Sequence, residues 1–143
     1  MKIGELAQVA QCTVETIRYY EKEGLLAAPA RTGGNFRVYG PEHVERLRFI
    51  RNCRALDMSH DDIHTLLALA VRAEQGCGAV NDVFDQHIAH VDERIRELTH
   101  LKLQLATLRQ RCHSEQAVQS CGILQGLAAM EAEPKAERHT HLG

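Results

Sequence analysis

The sequence predicts a mainly helical protein in which several short helices and a small hairpin precede one very long helix. Apolar residues recur at helical spacing through most of the first half, and a single strand pattern interrupts them. Residues 79–112 contain neither proline nor glycine, a length well beyond an average globular helix. With 143 residues, 4% aromatic side chains and no tryptophan, the chain can bury only a modest core.

Two short helices joined by a turn are predicted at the N-terminus. Ile3 and Leu6 fall on one helical face and form the first helix. Thr13 follows the turn and can cap a second helix that runs to about Glu23. Gly24 then ends this helix, because glycine readily adopts the left-handed conformation found there.

A hairpin is predicted after the second helix. A loop over residues 27–31 precedes Gly33-Gly34-Asn35, which is a tight-turn signal. The alternation in Phe36-Arg37-Val38-Tyr39 then places Arg37 and Tyr39 on one face of a strand. These features predict a two-stranded wing.

Two more helices complete the first half. Pro41 opens the third helix at a position that tolerates proline. Its inward face is apolar and consists of Val44, Leu47, Ile50 and Cys53. Ser59 and Asp62 resemble a capping box at the start of the fourth helix.

The long helix carries one apolar stripe at heptad spacing. The stripe consists of Phe84, Ile88, Val91, Ile95, Leu98, Leu105 and Cys112, and it is interrupted by Lys102 and Arg109. Too little chain remains to cover this stripe, so we expect an imperfect two-stranded coiled coil between two copies of the chain. A helix folded back on its own domain is the alternative.

A small basic excess lies in the first half of the chain, but charge alone does not establish nucleic-acid binding. The formal net charge is -2, but residues 1–57 carry +2 and the rest carries -4. Arginine can reach a guanine edge or a phosphate, and tyrosine hydroxyls suit phosphate oxygens. The candidate DNA-binding residues lie on the second helix and the wing: Thr16, Arg18, Tyr19, Tyr20, Lys22, Asn35, Arg37 and Tyr39. The alternative is an ordinary helical hairpin with a solvated polar face.

Four motifs occur in order along this half of the chain. They are Ile3-Gly4-Glu5-Leu6-Ala7, Thr16-Ile17-Arg18-Tyr19-Tyr20-Glu21, Gly24-Leu25-Leu26 and Asn35-Phe36-Arg37-Val38-Tyr39. Together they resemble the MerR family of winged-helix regulators. The resemblance implies a dimer on a palindromic operator DNA in an overlong promoter spacer. It further implies that effector binding distorts the DNA so that RNA polymerase engages both promoter elements.

Three of the five cysteines lie at boundaries of predicted elements. Cys112 and Cys121 bracket a loop of eight residues and can close on one ion. Cys77 lies roughly 50 Å from them along the helix at ~1.5 Å per residue. In an antiparallel coiled coil, however, Cys77 of the partner subunit would meet this loop. We therefore expect two sites per dimer, each with ligands from both subunits.

Thiolate ligands favour soft or borderline metals. Two thiolates suit a linear monovalent ion such as Cu(I), whereas a third suits a divalent ion. Within the MerR family, a cysteine at the start of the dimerisation helix marks sensors of divalent ions, and residues 77–81 and 120–125 look most like the cadmium- and lead-responsive regulators. The resemblance thus implies Cd(II) or Pb(II), with Zn(II) and Hg(II) as alternatives.

Other potential ligands have simpler interpretations. A second, nitrogen-rich site for Zn²⁺ or Cd²⁺ would use His87, His90, His139 and His141, but a solvated helix face and a polar tail are the preferred interpretation. His113 and Glu115 lie in the loop and either add a ligand or face solvent. Cys12 and Cys53 are expected to be small core thiols.

These features predict four segments. They are a winged helix-turn-helix domain (1–72), a linker with the dimerisation helix (73–112), a metal-binding loop with a short helix (112–130) and a polar tail (131–143). The start of the chain lacks a signal peptide's apolar segment and no apolar run reaches ~18 residues, so we expect a cytoplasmic protein without membrane contact.

The predicted function is a metal-dependent transcriptional activator. No catalytic motif is present, so we do not expect an enzyme. A redox switch that pairs Cys112 with Cys121 is one alternative, and a metal-buffering protein is another. The clustered four-cysteine pattern of the family's iron–sulfur sensors is missing from the sequence.

Overall fold

The computed structural model describes residues 1–72 and 74–132. Within them, six α-helices and a two-stranded sheet follow in the order α1 (Ile3–Ala10), α2 (Val14–Lys22), β1 (Ala30–Arg31), β2 (Arg37–Val38), α3 (Pro41–Ala55), α4 (His60–Ala70), α5 (Gly78–Arg109) and α6 (Gly122–Ala129). A single 3-10 turn, Val118–Ser120, precedes α6. The mainly helical architecture with a wing and one long helix confirms the predicted fold class.

Side-chain caps start the helices where the sequence indicates. The Thr13 hydroxyl accepts a hydrogen bond from the Thr16 N–H at 3.1 Å and caps α2. Ser59 and Asp62 bond each other's backbone N–H groups at 3.0 and 3.1 Å, a capping box at the start of α4. Gly24 has a φ of 78°, so the turn after α2 uses a conformation that favours glycine.

The wing is a short antiparallel pair. Ala30 lies opposite Val38, and Arg31 lies opposite Arg37. The predicted wing is therefore confirmed, but the assignment of residues 27–31 to a loop is wrong at its end. A strand of two residues has no readable apolar pattern, and only its pairing with β2 defines it.

Residues Met1–Val83 form one compact unit. Its first apolar cluster consists of Leu6, Ala7, Ile17, Leu26, Tyr39 and Leu47. The second consists of Leu25, Ile50, Cys53, Met58, Ile63 and Leu66, with Val80 and Val83 of α5 packed against it. Tyr20 contacts both clusters, so α2 is held by its inner face and its other face is left to solvent.

The second unit begins at Phe84 and contains most of α5. This helix has 32 residues and spans roughly 48 Å at ~1.5 Å per residue. Apolar residues of the predicted stripe stay exposed, from 40% at Phe84 to 60% at Leu105. They also include Ile88, Ile95 and Leu98. In the described part of the chain no helix, α5 included, is long and apolar enough to cross a membrane.

Candidate nucleic-acid interface and metal centre

Helix α2 presents one polar face to solvent. Ile17 is fully buried on the opposite face. Thr16 is half-buried, and its hydroxyl lies 2.9 Å from that of Thr13. The exposed residues are Arg18, Tyr19 and Lys22. A guanidinium, a phenol and an ammonium group on one exposed helix face can all donate hydrogen bonds to phosphates and base edges.

The Glu21 carboxylate ties the wing to α2. Arg37 Nη1 donates to Glu21 Oε2 at 3.2 Å, and the Tyr39 hydroxyl donates to Oε1. The Glu21 side chain is only 13% exposed, whereas that of Arg37 is 44% exposed and still accessible. This contact fixes the wing relative to α2. Charge and spacing in the sequence did not assign Glu21 a role, because its partners are 16 and 18 residues away.

Tyr39 belongs to the core rather than to the DNA-binding surface. It is 1% exposed, and its ring lies 5.1 Å from that of His43 in an edge-on contact. Burial raises the pKa of Tyr39, and its hydrogen bond to Glu21 raises the pKa further. The expected DNA contact of Tyr39 is therefore corrected. Tyr39 lies on the same side as Arg37, since both reach the Glu21 carboxylate, but the first apolar cluster covers its ring.

A shallow hollow beside α2 extends the polar surface to α3 and α4. It is lined by Thr13, Glu15, Thr16, Tyr19, Tyr20, Arg54 and His60. The Tyr19 hydroxyl lies 3.3 Å from His60 Nδ1. Tyr20 is half-buried, and desolvation raises its pKa, so its hydroxyl keeps the proton it can donate. Arg54 and His60 join this surface only through the fold, because they are distant from α2 in sequence.

Asn35 lies at the exposed tip of the wing. Its φ of 65° is in the left-handed region, which asparagine tolerates better than most residues. Arg31 Nη1 donates to its carbonyl oxygen at 3.2 Å. The Asn35 side chain is thus presented to solvent on a turn that hydrogen bonds hold in place.

We expect Glu21→Gln to weaken operator binding. The amide loses the charge that attracts Arg37 and so loosens the wing; one charge-assisted hydrogen bond is worth on the order of 1.5 kcal/mol, or about tenfold in Kd. Fluorescence anisotropy would measure this on operator DNA that the parent chain selects from random duplexes. Glu23→Gln removes the same charge from an exposed residue and serves as the matched control. Equal affinities of the two variants would contradict the role of Glu21.

The loop after α5 brings two thiols together. Cys121 occupies the N-cap position of α6. The Cys112 side chain is close enough to Cys121 to lower the pKa of that thiol, and the Cys112 thiol donates to the Ser114 carbonyl oxygen at 3.6 Å. Arg109 Nη1 donates to the Cys112 carbonyl oxygen at 2.7 Å, which anchors the start of the loop to the end of α5. Two of the three predicted thiol ligands therefore meet within one chain.

The start of α6 favours the thiolate form of Cys121. The N–H of Leu124 lowers the pKa of this thiol most, and the N–H of Ile123 lowers it further. A smaller desolvation effect raises the pKa, and the Cys112 side chain lowers it again. The Cys121 sulfur accepts no capping hydrogen bond, so these N–H groups stabilise the negative charge of the thiolate mainly as dipoles. A thiolate at this position is the form that binds soft metals.

The described residues do not complete a metal site within one chain. Among them, no group of three or more His, Cys, Asp or Glu side chains comes close enough to hold an ion. His113 and Glu115 are exposed in the loop and do not complete such a group. Cys77 is exposed and immediately precedes α5, at the opposite end of that helix from Cys112. The thiol pair fits a soft ion and supplies two of the three ligands predicted for it.

Cys12 and Cys53 differ from the thiol pair. Cys53 is buried in the second apolar cluster, and Cys12 is half-buried against the first. Desolvation raises the pKa of both thiols. They are therefore protonated, partly shielded core residues.

The possible histidine site is only partly described. His87 is 8% exposed and His90 is half-buried, three residues apart on α5. No third ligand joins them in the described ranges. His139 and His141, the other two candidates, lie outside the described residues.

We expect Cys121 to react with iodoacetamide faster than Cys53 in the reduced, metal-free protein at neutral pH. The thiolate is the reactive form, and the pKa shifts of the two thiols have opposite directions. Peptide mapping by mass spectrometry after short exposures would give both rates. In denaturant the two rates should converge. A folded protein in which Cys53 reacts as fast as Cys121 would contradict the assigned environments.

An exposed polar helix beside a tethered wing defines a winged-helix DNA-binding protein. The model of the MerR HTH family regulatory proteins matches residues 1–70, and a second model, described as MerR, DNA binding, matches residues 44–108. This chain belongs to the MerR family of helix-turn-helix transcriptional regulators. The resemblance inferred from its four sequence motifs is therefore confirmed.

Relatives agree with this assignment over most of their length. A protein of Haemophilus influenzae called HTH-type transcriptional regulator ZntR homolog is 52% identical over 111 residues, which cover 78% of this chain and 82% of that protein. Heavy metal-dependent transcription regulator 2 of Rhizobium meliloti is 32% identical and covers 100% of this chain and 97% of its own. These relatives are regulators and not enzymes, as the sequence predicts.

A solved structure is similar to this chain over most of its length. The transcription regulator PbrR691 from Ralstonia metallidurans CH34, crystallised in complex with lead(II), superposes with a TM-score of 0.81. It is 51% identical, and the match covers 89% of this chain and 98% of that one.

Proposed function

We propose that this chain is a metal-responsive transcriptional activator that binds a promoter operator as a homodimer. The observation that carries the proposal is the meeting of Cys112 and Cys121 beyond α5, with the pKa of Cys121 lowered. In this proposal residues 1–72 bind DNA, residues 73–112 link and dimerise, and residues 112–130 hold the ion. Operator DNA lies in the cytoplasm, so the protein acts there.

The exposed stripe of α5 supports the dimer. Apolar side chains 40–60% exposed over several helical turns are costly in water and stable when a second helix covers them. An antiparallel arrangement of two α5 helices brings the start of one to the end of the other. The partner subunit's Cys77 then adds a third thiol to Cys112 and Cys121.

The donor set supports a soft divalent ion. Three thiolates carry enough charge and polarisability to prefer Cd(II), Pb(II), Hg(II) or Zn(II) over Mg²⁺. We favour Cd(II) or Pb(II) as the effector, because the 51% identical PbrR691 was crystallised with lead(II). A competition titration of the four ions on the reduced dimer decides among them.

In this proposal the cysteines bind the ion, and residues of α2 and the wing bind the DNA. When bound, the ion joins thiolates of both subunits and so favours one arrangement of the dimer. Arg18, Tyr19 and Lys22 on α2, with Arg37 and Asn35 on the wing, hold the operator in either state. A ligand shifts an equilibrium only by its differential affinity for two states, so the ion must favour the dimer that fits distorted DNA. RNA polymerase then engages both promoter elements on the distorted spacer.

We expect mixed dimers to reveal the shared centre. A Cys77→Ser subunit combined with a Cys112→Ser, Cys121→Ser subunit has one complete site and one empty site. Tight binding of about one Pb²⁺ or Cd²⁺ per mixed dimer is the expected result, because soft-metal sites need all their thiolates. Each homodimeric variant is a control that should lack the tight site. A mixed dimer without tight metal binding would overturn the assignment of Cys77 to the partner's site.

We expect metal binding to distort the operator DNA rather than to release the protein from it. We expect apo and metal-loaded dimers to bind with similar Kd, and only the loaded form to activate transcription. Distorting a site costs on the order of 1–6 kcal/mol, within reach of soft-metal coordination. Footprinting at the operator centre should detect the distortion when metal is added.

Three outcomes would favour other functions. Release from DNA on metal addition indicates simple derepression. Metal binding with no effect on operator DNA or transcription indicates a metal buffer. A response that disappears under strict reduction indicates a redox switch at Cys112 and Cys121.

A further inference from the structure

The two cysteines of the loop have neighbours whose backbones touch. Arg111 precedes Cys112, and Gly122 follows Cys121 as the first residue of α6. A Cβ atom placed on Gly122 would lie 2.5 Å from the carbonyl oxygen of Arg111, 3.0 Å from its Cβ and 3.2 Å from its carbonyl carbon. The start of α6 therefore approaches the end of the α5 segment more closely than any residue with a side chain allows.

The backbone around this contact has little freedom to move. The Arg111 N–H donates to the Leu108 carbonyl oxygen at 3.1 Å, and the Cys112 N–H donates to that of Arg109 at 3.3 Å. On the other side, the Gln125 N–H donates to the Cys121 carbonyl oxygen at 3.1 Å. A methyl group at position 122 would therefore meet the main chain of Arg111, and hydrogen bonds hold the main chain in place on either side of the contact.

We infer that Gly122 is a positioning residue that sets the approach of the Cys112 and Cys121 thiols. Its missing side chain lets α6 dock against the Arg111 carbonyl, and this docking places the sulfur of Cys121 beside that of Cys112. A side chain at position 122 moves the start of α6, and Cys121 moves with it. This inference adds a residue to the proposed metal centre. The expected effect of Gly122 on metal binding rests on that proposal, whereas its effect on the distance between the thiols does not.

Gly126, one turn further along α6, offers a matched control. A Cβ there would lie 2.7 Å from Arg111 Nη1 and 3.0 Å from Leu108 Cδ2, both ends of side chains that can rotate away. Neither Gly122 nor Gly126 has a positive φ, so alanine suits the backbone at both positions. Alanine also forms helices better than glycine, so helix propensity cannot explain a loss. The two variants therefore differ in whether the new methyl group meets main chain or movable side chains.

The first measurement needs no metal. The full chain with Cys77→Ser, kept free of metal by a chelator, is equilibrated with reduced and oxidised glutathione. Each Cys112–Cys121 disulfide that forms passes two electrons and two protons to oxidised glutathione and yields two reduced glutathione molecules. The equilibrium constant, measured by alkylation and peptide mapping, reports how close the two thiols are held. We expect Gly122→Ala to lower it on the order of tenfold and Gly126→Ala to leave it near the parent value.

The second measurement is Pb²⁺ affinity with Cys77 intact, by competition with a chromophoric chelator. Circular dichroism and operator binding check that each variant is folded. Weaker Pb²⁺ binding in Gly122→Ala, together with the lowered disulfide equilibrium, supports both the inference and the proposed metal centre. A lowered disulfide equilibrium with parental Pb²⁺ affinity supports the positioning role and counts against the metal centre.

Two results would overturn the inference itself. The first is an unchanged disulfide equilibrium in Gly122→Ala, whatever the metal affinity. The second is an equal loss in Gly126→Ala, which would mean that the packing of α6 as a whole sets the distance between the thiols.

Discussion

The uninterrupted length of α5 constrains the rest of this protein. This helix of 32 residues begins just after Cys77 and ends shortly before Cys112, and for this reason the proposed metal centre takes Cys77 from the partner subunit. The same helix exposes an apolar stripe that residues 1–72 and 74–132 leave uncovered. In the proposed dimer, the second subunit therefore has two roles. Its α5 covers the apolar stripe, and its Cys77 supplies the third metal ligand. Had the helix been broken by glycine or proline, both roles could have been filled inside a single chain.

The DNA-binding half depends on a different kind of contact. Glu21 is nearly buried, and it joins the recognition helix to the wing through Arg37 and Tyr39. The exposed ion pair between Arg37 and Glu21 alone would add little to the free energy of unfolding. The hydrogen bond from the Tyr39 hydroxyl to Glu21 is partly buried, so water and salt screen it less. The relative placement of helix and wing is therefore set by side-chain chemistry as well as by the apolar clusters beneath them.

Much of this architecture was predictable because local chemistry determines it. Thr13, Ser59 and Gly24 mark helix ends through caps and backbone conformation, and these signals act over a few residues. The roles of Glu21 and Gly122 were not predictable, since each depends on a contact with a residue distant in sequence. Tyr39 illustrates the same limit: the alternation grouped it correctly with Arg37, but its burial depends on packing against residues distant in sequence.

The pairing of only two thiols in each chain has a consequence for ion selectivity. Two thiolates on their own suit a linear monovalent ion, whereas a third ligand favours a divalent one. In the proposed dimer, a newly synthesised chain and an assembled regulator would therefore prefer different ions. Selectivity would then be acquired at assembly, and an unassembled chain would not compete with the finished sensor for its own signal.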